Sequence, residues 1–123
     1  MTMQRETQQL LRLFVGEDAR WQHQPLHEAL LELLRDQGCQ GATVVKAVAG
    51  FGHHRQIHSD QLLRLSAQRP LIVEVVDRAS RIEALLPLLA PMLTEGLALV
   101  VPVEVIRFVA PRAPADGRES TGG

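Results

Sequence analysis

Aromatic side chains are nearly missing from this chain: they make up 3% of it, none is a tyrosine, and Trp21, Phe14, Phe51 and Phe108 are the rings besides histidine. Proteins that hold single-stranded nucleic acid stack bases on such rings, so that ligand class has little to rest on here. Net charge is scarce too, at −1 over 123 residues, which argues against a binder of phosphate backbones. A single cysteine, Cys39, closes no intrachain disulfide. No apolar stretch approaches the roughly 20 residues of a spanning helix, because the richest segment is interrupted by Pro87, Pro91 and Glu95. The first residues carry no apolar run of signal-peptide type, and the expectation is a cytoplasmic chain.

The chain does have aliphatic residues. Hydrophobic residues are 46% of it, so a core of Leu, Val, Ile and Ala is expected in one domain, residues 1–109. The Pro-, Gly- and polar-rich tail 110–123 is expected to be disordered. Gln8 to Gly16 reads as a strand with Leu11, Leu13 and Val15 on one face and Leu10, Arg12 and Phe14 on the other. "EDARWQHQ" reads as a connection. A helix follows from Pro25 to Gln37, with Leu26, Ala29, Leu30, Leu33 and Leu34 at helical spacing and Gly38 as its stop. "GATVVKAVAG" and "PLIVEVVD" are the next strands. Ser80 is the expected cap of a second helix from Arg81 to about Leu93, kinked or delayed by Pro87. "EGLALVVPVEVIRF" should give one or two strands divided near Pro102.

The chain also resembles itself, since "HEALLELL" at His27–Leu34 matches "IEALLPLL" at Ile82–Leu89. Two strand–helix–strand halves make an α+β, ferredoxin-like βαββαβ sandwich, here with an extra C-terminal strand. Two helices cover only one face of such a sheet, yet the strands are apolar on both faces. A neighbouring subunit is the simplest cover, and an oligomer with its sheets packed inward is expected.

Taken together, "VGEDARW", "GATVVKAVAGFG" and "PLIVEVVD" resemble the PII-like family known as domain of unknown function 190, over roughly Gln9 to Phe108. The resemblance implies a homotrimer related to the nitrogen-regulatory PII signalling proteins and to CutA. In the PII proteins adenine nucleotides bind in the clefts between subunits and a mobile loop touches partners. The corresponding segment here is 51–69, and a protein partner such as a membrane transporter is expected for it, while the resemblance does not supply this family's own ligand. Two features depart from PII proteins. There is no tyrosine to modify on the loop, and "APMLTEGLALV" after the second helix carries no basic residue to grip phosphate.

Candidate ligand-binding residues fall in three places. Gly50 and Gly52 flank Phe51 and can either form an anion nest with Arg55 close by or simply bend the strand. Phe51 can stack a purine or plug a seam. The Glu17, Arg20 and Trp21 loop precedes a helix N-terminus, a place that suits anions, although Trp21 serves equally as an anchor on a neighbour. Arg107 lies near the end of the last strand.

The rival reading is metal binding by His53, His54 and His58 with Asp60. No established zinc spacing fits these residues, and a solvated loop before a helix capped by Ser59 accounts for them. His23, His27 and Glu28 are discounted because Pro25 interrupts their helical spacing. Cys39 in "GCQG" has no motif partner, and Ser59, Ser66 and Ser80 have capping or loop roles. The expectation is a non-enzymatic regulator with a small anionic effector, most simply an adenine nucleotide, and no other cofactor.

Overall fold

The computed structural model describes residues 2–48, 70–94 and 96–111. Strand β1 runs Thr2–Gly16 and is followed by a small hairpin, β2 (Arg20–Trp21) and β3 (Gln24–Pro25). Helix α1 (Leu26–Asp36), β4 (Ala42–Lys46), β5 (Pro70–Asp77), α2 (Ala79–Leu89), a short 3-10 turn (Ala90–Met92) and β6 (Leu97–Val109) complete the order. The four long strands form one antiparallel sheet in the order β4-β5-β1-β6. That is the ferredoxin-like arrangement, with the two strands that follow a helix at the two edges.

One face of the sheet carries the core. Leu11, Leu13 and Val15 of β1 and Leu71, Val73 and Val75 of β5 are buried against Leu26, Ala29, Leu30 and Leu34 of α1 and Ile82, Leu85 and Leu89 of α2. The alternation read from the sequence holds on both strands, and Leu33 and Leu86 pack half-buried at the margin. Gly38 stops α1 as expected. It takes φ +86°, while its N–H donates to the Arg35 carbonyl and that of Cys39 to the Leu34 carbonyl, the paired bonds of a Schellman motif.

Four details differ from the sequence reading. β1 begins at Thr2, six residues earlier, because "TMQRET" pairs with residues 104–109 in a two-stranded ribbon that runs on past the end of β5. Pro102 does not divide β6: the strand lies at the sheet edge, where a missing N–H is tolerated, and it pairs opposite Gln9 in one continuous strand. The extra strand expected at the C-terminal end is the far half of β6. Helix α2 starts at Ala79 with Arg78 in the cap position and runs through Pro87. Ser80 is therefore not the cap; it lies in the first turn, where its hydroxyl accepts a bond from Arg78 Nε at 3.1 Å.

A second set of contacts ties the two helices together. Asp77, at the end of β5, is 6% exposed and forms an ion pair with Arg81, Nε to Oδ2 3.3 Å. The Arg81 guanidinium crosses over Gly38 and donates through Nη1 to the Gln37 carbonyl at the end of α1. A Cβ on residue 38 would meet that Nη1 at 2.7 Å, so glycine serves both the left-handed turn and the close approach.

Candidate functional site

Charged groups gather at the two ends of the sheet. At one end β1 closes with Gly16, the Ala19 N–H returns to the Gly16 carbonyl at 3.2 Å, and the Leu26 N–H reaches the Ala19 carbonyl at 2.8 Å. These bonds fix the turn carrying Glu17 and Asp18 against the start of α1. The β2–β3 hairpin then turns on Gln22 and His23, both in left-handed backbone, φ 49° and 71°. Such a two-residue turn normally takes Asn or Gly, and a longer side chain costs about 1 kcal/mol or more there. The Arg20 guanidinium offsets this by donating to the His23 carbonyl at 2.8 Å.

Trp21 is half-buried against the core beside Ala19, so it anchors this loop on its own subunit. The exposed Lys46 ends β4 and reaches Glu17, Nζ to Oε1 3.4 Å. Sequence reasoning missed Lys46 as a site residue. The signal was a single charge at the end of the apolar run "ATVV", beside the glycines at 50 and 52.

At the far end Arg107 leaves β6 and donates to Gln40 Oε1 at 3.1 Å, with Glu6 Oε1 at 3.4 Å. Gln40 was also missed. Beside it a cavity of about 320 Å³ is lined by Leu31, Leu34, Arg35, Cys39 and Gly41 among others. The Cys39 thiol is held above its ordinary pKa, first by burial and then by the nearby Asp77 carboxylate, with Arg81 opposing. Thiolate is the reactive form, so alkylation by iodoacetamide should be several-fold slower than for a free thiol at pH 8. The rate should climb only as pH passes above the ordinary thiol range, and a fast reaction at pH 7 would contradict this assignment.

The two ends do not meet within one chain. Arg107 is in register with Gln4, twelve residues from Gly16, a separation of about 40 Å along the strand. Glu17 and Lys46 are brought into contact, with Arg20 and Trp21 on the adjoining hairpin; Arg107 stands apart from them. Gly50, Phe51, Gly52, Arg55, His53, His54 and His58 lie outside the described residues, as does the tail from 112. Among the described residues no group of three His, Cys, Asp or Glu side chains can hold a metal ion, and no helix is long and apolar enough to cross a membrane.

A family model, DUF190, described as "Uncharacterized ACR", matches residues 8–105. The chain belongs to this family. A UPF0166 protein of Aquifex aeolicus is 35% identical over 97 residues, covering 79% of this chain and 91% of the relative. A UPF0166 protein of Methanocaldococcus jannaschii is 27% identical over 99 residues, covering 80% and 91%.

Among solved structures, this DUF190 chain resembles CPII of Thiomonas intermedia K12, a nitrogen regulatory PII-like protein bound to ADP, AMP and bicarbonate. The TM-score is 0.63 at 17% identity, over 83% of this chain and 91% of CPII. The apo form of CPII matches with a TM-score of 0.60 at 14% identity, over 86% and 99%. At such identities the likeness establishes the PII-like, ferredoxin-like fold, as the strand order and two helices do independently.

Proposed function

We propose that this DUF190 protein is a non-enzymatic PII-like regulator. In this reading it is a homotrimer that binds an adenine nucleotide in the clefts between subunits and signals through segment 51–69 to a protein partner, such as a membrane transporter. The observation that carries the reading is the uncovered sheet face. Opposite the helices, Leu97 is 59% exposed and Val45, Leu99 and Val101 about 41–42%, with Leu10, Phe14 and Ile72 half-buried beside them. An apolar face drawn from all four strands is stable in water only when something covers it. Copies of the same chain are the economical cover, and the reading has the Arg107 end of one subunit beside the hairpin end of another.

The chemistry suits a nucleotide. Lys46, three residues ahead of segment 49–69 in sequence, and Arg20, in the loop that Lys46 reaches through Glu17, offer cationic groups, and Arg55 and the glycine pair belong to that segment. CPII, which shares the fold, was solved with ADP and AMP. Calorimetry against ATP, ADP, AMP and cyclic AMP tests the reading. At least one should bind at micromolar concentration, and Arg55→Ala should weaken it by about 1.5–3 kcal/mol if the guanidinium holds a phosphate. Absence of heat with all four would leave a protein-interaction module without an effector.

A further inference from the structure

Three rows of side chains cross the uncovered sheet face. Leu10, Val76 and Val101 form one row, and Phe14, Ile72, Val45 and Leu97 form another. In the row between them Arg12 stands opposite Glu74 on one side and Leu99 on the other, with Thr43 beyond Glu74. Arg12 Nε donates to Glu74 Oε2 at 2.5 Å. The pair is partly solvated in the single chain, where the side chains are 45% and 27% exposed. Where all four strands are present it is the one ion pair among the described residues of this face, with an apolar row on either side; the Arg107–Glu6 pair on the same side of β1 and β6 lies beyond the end of β5.

The pair cancels its own charge, so among the described residues the four-stranded part of this face offers neither an acidic nor a basic partner anything to bind. What fits it is a surface of the same kind, apolar with a matched polar centre, and a second copy of this chain presents one. We infer that Arg12 and Glu74 set the register in which copies of the sheet face pack together. The inference rests on the homo-oligomer reading above. Apolar rows alone would let two faces slide past each other at little cost. A slide that sets the Arg12–Glu74 pair against a neighbour's aliphatic row strips water from the remaining guanidinium N–H groups and carboxylate lone pairs with nothing to replace it, which is strongly unfavourable. Copies in register present these groups to one another, so one arrangement survives. The device parallels a lone polar residue fixing the register of a coiled coil.

Sedimentation equilibrium on the full chain tests this, with circular dichroism confirming that each variant folds. Wild type is measured first: a monomer at micromolar concentration removes the oligomer reading itself and the inference with it. Glu74→Leu leaves Arg12 alone in the interface and should weaken assembly at least about a hundredfold. The exchanged variant R12E/E74R restores a pair within each chain and should return to within about tenfold of wild type. The apolar variant R12M/E74L should assemble at least as tightly as wild type, since a buried pair is often no more stabilising than well-packed apolar groups, but into several sizes. A wild-type-like Glu74→Leu, or a single uniform species from R12M/E74L, would overturn the assignment while leaving the oligomer intact.

Discussion

Replacing Arg81 by methionine is expected to lower the unfolding free energy by about 3 kcal/mol, the usual cost of removing one partner of a buried pair. Asp77 stays behind at 6% exposure, with the Arg78 N–H, at 2.8 Å, as the one donor to its Oδ1 among the described residues. Methionine keeps most of the aliphatic packing, so the loss is that of the guanidinium. The same change releases the Gln37 carbonyl, the point where α2 holds the end of α1. Among the described residues, neither Asp77 Oδ2 nor Arg81 Nε has a well-aligned hydrogen bond, so the pair acts through charge and proximity. Removing both charges in D77N/R81M should therefore recover most of the loss. Urea unfolding at one fixed protein concentration measures both variants, because an oligomer's apparent stability depends on concentration. A loss under about 1 kcal/mol for Arg81→Met would mean that water already screens the pair.

That pair also marks where the sequence stops being readable. The local signals, alternation in "PLIVEVVD" and helical spacing in "LHEALLELL", place β5 on its observed bounds and α1 within two residues. Gly38 announces its turn because the backbone there needs φ above zero. What fails to show is whatever depends on residues distant in sequence. Nothing in "TMQRET" predicts a strand, since its pairing is supplied by β6 and braced by Arg5 on Glu104 at 2.8 Å, residues 99 apart. The role of Ser80 was misread because a serine three residues after a strand has the composition of a cap, whereas helix α2 starts directly after Arg78.

The candidate site follows the same division. Glu17, Arg20 and Trp21 were legible as a polar loop before a helix, and the structure gathers them through short-range bonds. Lys46 belongs with them only because β4 ends alongside that loop. Its side chain joins the group through Glu17, which lies 29 positions earlier. Arg107 was legible as a charge near the end of the last strand, but its partners Gln40 and Glu6 emerge only once the long β1–β6 pairing and the end of α1 are in place. Both clusters combine opposite charges, so each holds cationic side chains in position without a large net field.

Leu99→Lys is expected to turn the assembly into a folded monomer and to abolish nucleotide binding with it. Leu99 is 41% exposed in the single chain and points away from the core, opposite Arg12, so a lysine there costs one subunit little. Its melting temperature as a monomer should track that of dilute wild type. In the proposed trimer the same position would lie against a neighbour, and the ammonium group would be desolvated beside Arg12, with Glu74 already engaged. Assembly should weaken at least about a hundredfold, which sedimentation reads directly. Binding is the more telling half. If the nucleotide is held jointly by the hairpin end of one subunit and the Arg107 end of another, the monomer keeps half of each site and calorimetric heat should vanish. A monomeric Leu99→Lys protein that still binds nucleotide with wild-type affinity would place the whole site within one chain, near Lys46 and Arg20, and remove Arg107 from it.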